Sequence, residues 1–97
     1  MVRHIVMWKV DSIPKDKGIE TAEDLRQMLL RLGDSIPVVM DTEAGVQNED
    51  PPLVVLNMIF DDWDDLEEYR VHPRHIAAVK VLRKHTTKLG AVDYELP

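Results

Sequence analysis

The chain has 97 residues, 18 of them acidic and 12 basic, for a net charge of −6 with its histidines neutral. A chain of this length is expected to form one domain, residues 1–97, around one core. It has no cysteine, which excludes disulfides, thiolate metal sites and cysteine nucleophiles. Its longest apolar runs fall far short of the ~20 residues of a membrane helix, and the acidic balance argues against nucleic acid as a partner.

Val2–Val10 is rich in β-branched and aromatic residues, and this predicts the first strand. Alternation places Val2, His4, Val6, Trp8 and Val10 on one face and Ile5 and Met7 on the other. Asp11 to Lys17 reads as a turn. From Ile19 onward, Ile19, Ala22, Leu25, Met28, Leu29 and Leu32 recur with the helical period, and Gly33 and Pro37 are expected to stop this helix. Val38–Val46 predicts a weaker strand, interrupted by Asp41, Thr42 and Glu43. Gln47–Pro52 is a polar connection into Leu53–Phe60, the clearest strand, apolar on both faces except at Asn57.

Asp61-Asp62-Trp63-Asp64-Asp65 then opens a short helix through about Val71. Carboxylates there cap free N–H groups and complement the positive end of the helix dipole, so the run reads as structural rather than as a metal site. His72-Pro73 breaks this helix. His72 is expected to cap the next one, with Pro73 as its first residue. That helix should reach about Thr86, with Ile76, Val79, Leu82 and Thr86 on one stripe. Lys88–Leu96 predicts the last strand. Trp8 and Trp63 both read as core residues.

The order is βαββαβ, the ferredoxin-like α+β plan, with the helices on one face of a four-stranded antiparallel sheet. The helices leave the other face uncovered, yet Ile5, Met7, Val55 and Ile59 make it apolar. Monomers rarely carry such a patch. A second copy packed about a twofold axis would bury it, so a homodimer through this face is expected.

Three segments, Arg3-His4-Ile5-Val6-Met7-Trp8-Lys9, Asp64-Asp65-Leu66-Glu67-Glu68-Tyr69 with His72-Pro73-Arg74-His75, and Val92-Asp93-Tyr94, together resemble the stress-responsive A/B barrel domain family, often called Dabb. The resemblance spans essentially the whole chain. It implies a ferredoxin-like protomer that pairs into a dimeric α/β barrel, with a cavity between sheet and helices. One plant member of the family is a polyketide cyclase. In it the counterparts of His75 and Tyr69 carry the chemistry, and the counterpart of His4 lies in the pocket. Another pocket histidine of the cyclase is matched here by Val54, and its bulky pocket aromatics by Ala78 and Thr86, so its substrate is not carried over.

His75 is the leading catalytic candidate, because an imidazole can take and return a proton near neutral pH. Tyr69 would polarise a carbonyl as an oxyanion donor, and His4 would orient a ligand. Val6, Trp8, Val54, Leu56, Ala78, Val79 and Leu89 are expected to line the cavity. No cofactor is expected. No metal is expected either, since His72 and His75 lack a third ligand. Ser12 and Ser35 have no triad or nucleophile-elbow context, and the glycines form no phosphate loop.

The sequence reads as a cytoplasmic protein that binds a small, mostly apolar molecule, aromatic or carbonyl-containing, in a stress-related role. An alternative is a cofactor-independent acid–base enzyme, a cyclase, lyase or isomerase using His75 and Tyr69. A weaker alternative is a cofactor-free monooxygenase.

Overall fold

A computed structural model describes residues 1–97, apart from the side chain of Lys15. Strand β1 (Val2–Val10) leads through a 3-10 turn (Lys15–Lys17) into helix α1 (Gly18–Ser35). Strands β2 (Val39–Gln47) and β3 (Leu53–Phe60), helices α2 (Trp63–Arg70) and α3 (Pro73–His85), and strand β4 (Thr86–Glu95) follow. The sheet order is β2-β3-β1-β4, with every neighbouring pair antiparallel. This is the expected ferredoxin-like sheet, with the helical segment after β3 broken into α2 and α3.

The period of two decides what the sheet buries. Val2, Val6, Trp8 and Val10 of β1 and Val54, Leu56, Met58 and Phe60 of β3 all face inward and are buried. Helix α1 lays Ala22, Leu25, Leu29 and Leu32 into the same core and packs over β2 and β3. Each fully buried Leu or Phe of this set contributes roughly 1.5–3 kcal/mol. Helix α3 meets β4 far more sparsely than α1 meets β2, and a cleft opens on that side.

The local chemistry of the helix starts follows the sequence. Asp62 caps α2 by accepting from the Asp65 N–H at 2.8 Å. His72 caps α3, its Nδ1 accepting from the Arg74 N–H at 3.1 Å, with Pro73 opening the helix. These two caps hold the break between the helices and so fix where Tyr69 and His75 sit.

Several expectations are corrected. Gly33 does not stop α1, which runs on to Ser35. It is a close-approach glycine, since a Cβ there would land on the Thr42 side chain of β2. The helix ends where Pro37 forces Ile36 into extended backbone, and the Ser35 hydroxyl donates back to the Leu32 carbonyl at 2.8 Å. Ile19 lies in the first turn and is exposed. Strand β2 sits one residue later than expected, and an irregularity between Val39 and Asp41 leaves Met40 exposed. Asp41 and Glu43 are accommodated because they point to the open face while Thr42, Ala44 and Val46 point inward.

Strand β4 begins at Thr86, because Thr86 and Thr87 already pair with Val10 and Lys9. The Thr86 hydroxyl donates to the Leu82 carbonyl at 2.6 Å and closes the helix end. Trp63 is not a core residue. It is 44% exposed, and its indole N–H donates to Glu95 at 2.8 Å.

On the uncovered face Ile5 and Ile59 are half-buried, while Met7 and Val55 are exposed, as are Val92 and Tyr94 of β4 beside them. The Nε atom of Arg3, also on this face, is buried without a partner among the described residues. No helix is long and apolar enough to cross a membrane.

Candidate functional site

The cleft between α3, β1 and β4 has a volume of about 570 Å³. His4, Val6 and Trp8 of β1 form its floor, Ile76, Val79 and Leu82 of α3 one wall, and Thr86, Lys88, Ala91 and Asp93 of β4 the other. The lining of α3 explains why Ile76, expected on the packed stripe, is 46% exposed. The helix turns Ala78 and Leu82 into the core and presents Ile76 to the open cleft. A narrow inner end of about 30 Å³ continues toward α1 and is bounded by Tyr69, Leu56 and Ala78.

Four side chains converge at this inner end. The rings of Tyr69 and His75 lie 4.5 Å apart, His4 and Tyr69 are 5.9 Å apart, and Phe60 backs Tyr69 at 5.3 Å. His75 Nδ1 is 3.0 Å from the carbonyl oxygen of Arg70. A carbonyl only accepts, so Nδ1 carries the proton and the neutral ring leaves Nε2 with a free lone pair. Burial holds the His75 imidazole below its ordinary pKa, against the hydrogen bond it donates to the Arg70 carbonyl and with the charges of His4, Arg70 and His72 adding to the depression. Tyr69 is 1% exposed, and burial raises its phenol above the usual range. It therefore keeps its proton and can donate it in a hydrogen bond.

His4 is anchored from the side. Its Nδ1 lies 2.5 Å from Asp93 Oδ1, and the other oxygen of Asp93 accepts from the Arg70 guanidinium. The Arg70 backbone in turn holds His75, so one residue ties the two imidazoles to a common frame.

Of the residues singled out from sequence, His75, His4, Val6, Trp8 and Val79 line both the cleft and its inner end. Tyr69, Leu56 and Ala78 line the inner end alone. Val54 and Leu89 lie outside the lining. Val54 is fully buried beneath the helices. Leu89 falls at the irregularity between Met7 and Trp8 in the β1–β4 pairing and is exposed. Sequence reasoning missed Asp93, Arg70, Lys80, Arg83 and Lys88. The helical spacing of Ile76, Val79, Lys80 and Arg83 puts them on one face, and that signal was present. The pairing of His4 with Asp93 follows from strand register and had no local signal.

Asp61, Asp62 and Asp65 bring carboxylate oxygens within 4.8 Å of one another. Asp62 is occupied as the cap of α2, and burial, with the neighbouring carboxylates of Asp62 and Glu68 adding to it, raises the Asp65 carboxyl.

A family model described as the stress responsive A/B barrel domain matches residues 2–96. A dimeric protein of unknown function with a ferredoxin-like fold from Bacteroides fragilis NCTC 9343 is 30% identical, with a TM-score of 0.81 over 98% of this chain and 95% of its own. A protein from Arabidopsis thaliana is 17% identical, with a TM-score of 0.79 over 100% of this chain and 96% of its own. A cofactor-independent oxygenase from Streptomyces nogalater is 12% identical, with a TM-score of 0.78 over 99% of this chain and 92% of its own. No curated protein matches the sequence.

Proposed function

The chain belongs to the stress-responsive A/B barrel domain family, and from that premise we propose that it holds a small, mostly apolar molecule, aromatic or carbonyl-containing, in the cleft between α3, β1 and β4. The observation that carries this is the cleft itself. Its volume of about 570 Å³ falls in the range of small-molecule sites, and an apolar floor with a few convergent polar groups is how such sites are built. Thermal-shift measurements against aromatic, polyketide-like and quinone-like compounds test it. A ligand that binds only the folded state raises the melting temperature by mass action. Val79→Trp, which fills the cleft, should abolish the shift. Ligands that stabilise both proteins equally would bind elsewhere and sink the assignment.

A second reading is favoured by the His75 tautomer. A neutral imidazole with its Nε2 lone pair free, beside a protonated phenol 4.5 Å away ring to ring, is equipped to abstract a proton next to a carbonyl while Tyr69 hydrogen-bonds the developing oxyanion. The chemistry would be an aldol-type cyclisation, lyase or isomerase step without a cofactor. Ligands consumed by the wild type and bound but not consumed by His75→Ala would establish it. The likeness to an oxygenase, at 12% identity, supports the fold and no activity.

We also propose that the protein works as a homodimer through the uncovered sheet face. Exposed Met7, Val55, Val92 and Tyr94 support it, as does the unpartnered Arg3 Nε beside them. The relative from Bacteroides fragilis NCTC 9343 is itself described as dimeric.

A further inference from the structure

The charges around the cleft do not follow the charge of the chain. The protein carries a net charge of −6, yet Arg70, Lys80, Arg83 and Lys88 all line the cleft, and Asp93 is the one carboxylate among the lining residues. Asp93 is already engaged by His4 and Arg70. Lys80, Arg83 and Lys88 make no ion pair with any carboxylate among the described residues, and all three are exposed. The helix dipole accounts for a cation in the last turn of α3, where Arg83 lies. It accounts neither for Lys80, one turn earlier, nor for Lys88 on the facing strand. Two walls built from different elements thus present uncompensated positive charge beside an apolar lining of Val6, Trp8 and Val79.

We propose that the cleft takes an amphipathic organic anion. The apolar body lies against Val6, Trp8 and Val79, and a carboxylate or phosphate sits at the mouth between Lys80, Arg83 and Lys88. This rests on the reading of the cleft as the ligand cavity, and names the class of ligand. A solvated surface lysine costs and gains little by itself. Three cations around one anion add charge-assisted hydrogen bonds, which are stronger than neutral ones. The positive mouth also draws an anion toward a protein whose overall field would repel it.

Calorimetric titration with three probes of one shape tests it: 2-naphthoate, its neutral isostere 2-naphthamide, and 2-naphthyl phosphate. Either anion should bind the wild type about tenfold more tightly than the amide, and the tighter of the two identifies the headgroup. In the variant Lys80→Gln/Arg83→Gln/Lys88→Gln that preference should vanish while the affinity for the amide is unchanged. Lys84→Gln, on the same helix but outside the cleft, should alter neither. Equal affinity of anion and amide for the wild type overturns the anion proposal and leaves the cavity reading standing. Failure of all three probes to bind overturns both.

Discussion

His4 and Asp93 face each other across the β1–β4 ladder, with Nδ1 and Oδ1 2.5 Å apart and both side chains largely buried. Almost the full length of the chain separates them. The contact closes the first strand against the last and holds the imidazole on the cleft floor. Its removal from either side should therefore cost about the same as removal from both. In a double-mutant cycle of His4→Ala and Asp93→Ala, urea denaturation at one fixed protein concentration should give a coupling of about 1–2 kcal/mol. Additive effects would mean that the contact contributes nothing beyond its parts.

His75 should make stability depend on pH. Its folded pKa lies below the ordinary 6.5, chiefly because of burial, so the unfolded chain binds this proton more readily than the folded one. Its contribution is complete above pH 6.5 and is lost as the pH falls toward the lowered folded value. Between about pH 7.5 and about pH 5.5 the urea midpoint of the wild type should fall more steeply than that of His75→Gln. Equal slopes would show that the fold does not hold the ring neutral.

Gly33→Ala should destabilise, although alanine is ordinarily worth about 1 kcal/mol more than glycine inside a helix. The added methyl would meet the Oγ1 and Cβ atoms of Thr42. Overpacking of this kind typically costs about 1–3 kcal/mol, so the sign reverses. The companion change Thr42→Gly should recover part of the loss. A stabilised Gly33→Ala protein would show that β2 can move away from α1 at little cost.

Ile5→Lys places a charge in the middle of the uncovered sheet face, next to Val92 and opposite Asn57. Light scattering should find this variant monomeric, against a dimeric wild type, since an unpaired charge buried in an apolar interface costs several kcal/mol. A soluble Ile5→Lys dimer would move the proposed interface to another surface.

The sequence by itself determined the elements and their faces. Strand β3 was legible to the residue, because Pro51-Pro52 marks its start, Asp61 its end, and the residues between are apolar on both sides except at Asn57. The two helix starts, in the acidic run Asp61–Asp65 and at His72, were legible because capping is a local hydrogen bond between residues two or three apart. Those starts and the period of two in β1 set the local placement of Tyr69, His75 and His4, while their sharing one pocket was implied by the family resemblance. Tertiary structure decided the rest. Gly33 has the composition of a helix stop, but its role is set by Thr42 on a neighbouring strand. Trp63 has the composition of a core residue, but the helix phase turns it toward Glu95. Asp93 joins the site only through the register of β4 on β1, and Leu89 leaves it at the irregularity in that same ladder. That Lys88 and Arg83 line one cleft likewise requires both walls to be in position. Local periodicity is carried by neighbouring residues. Register and facing walls are fixed by contacts between segments far apart in the chain, where a shift of one residue turns every side chain to the other face.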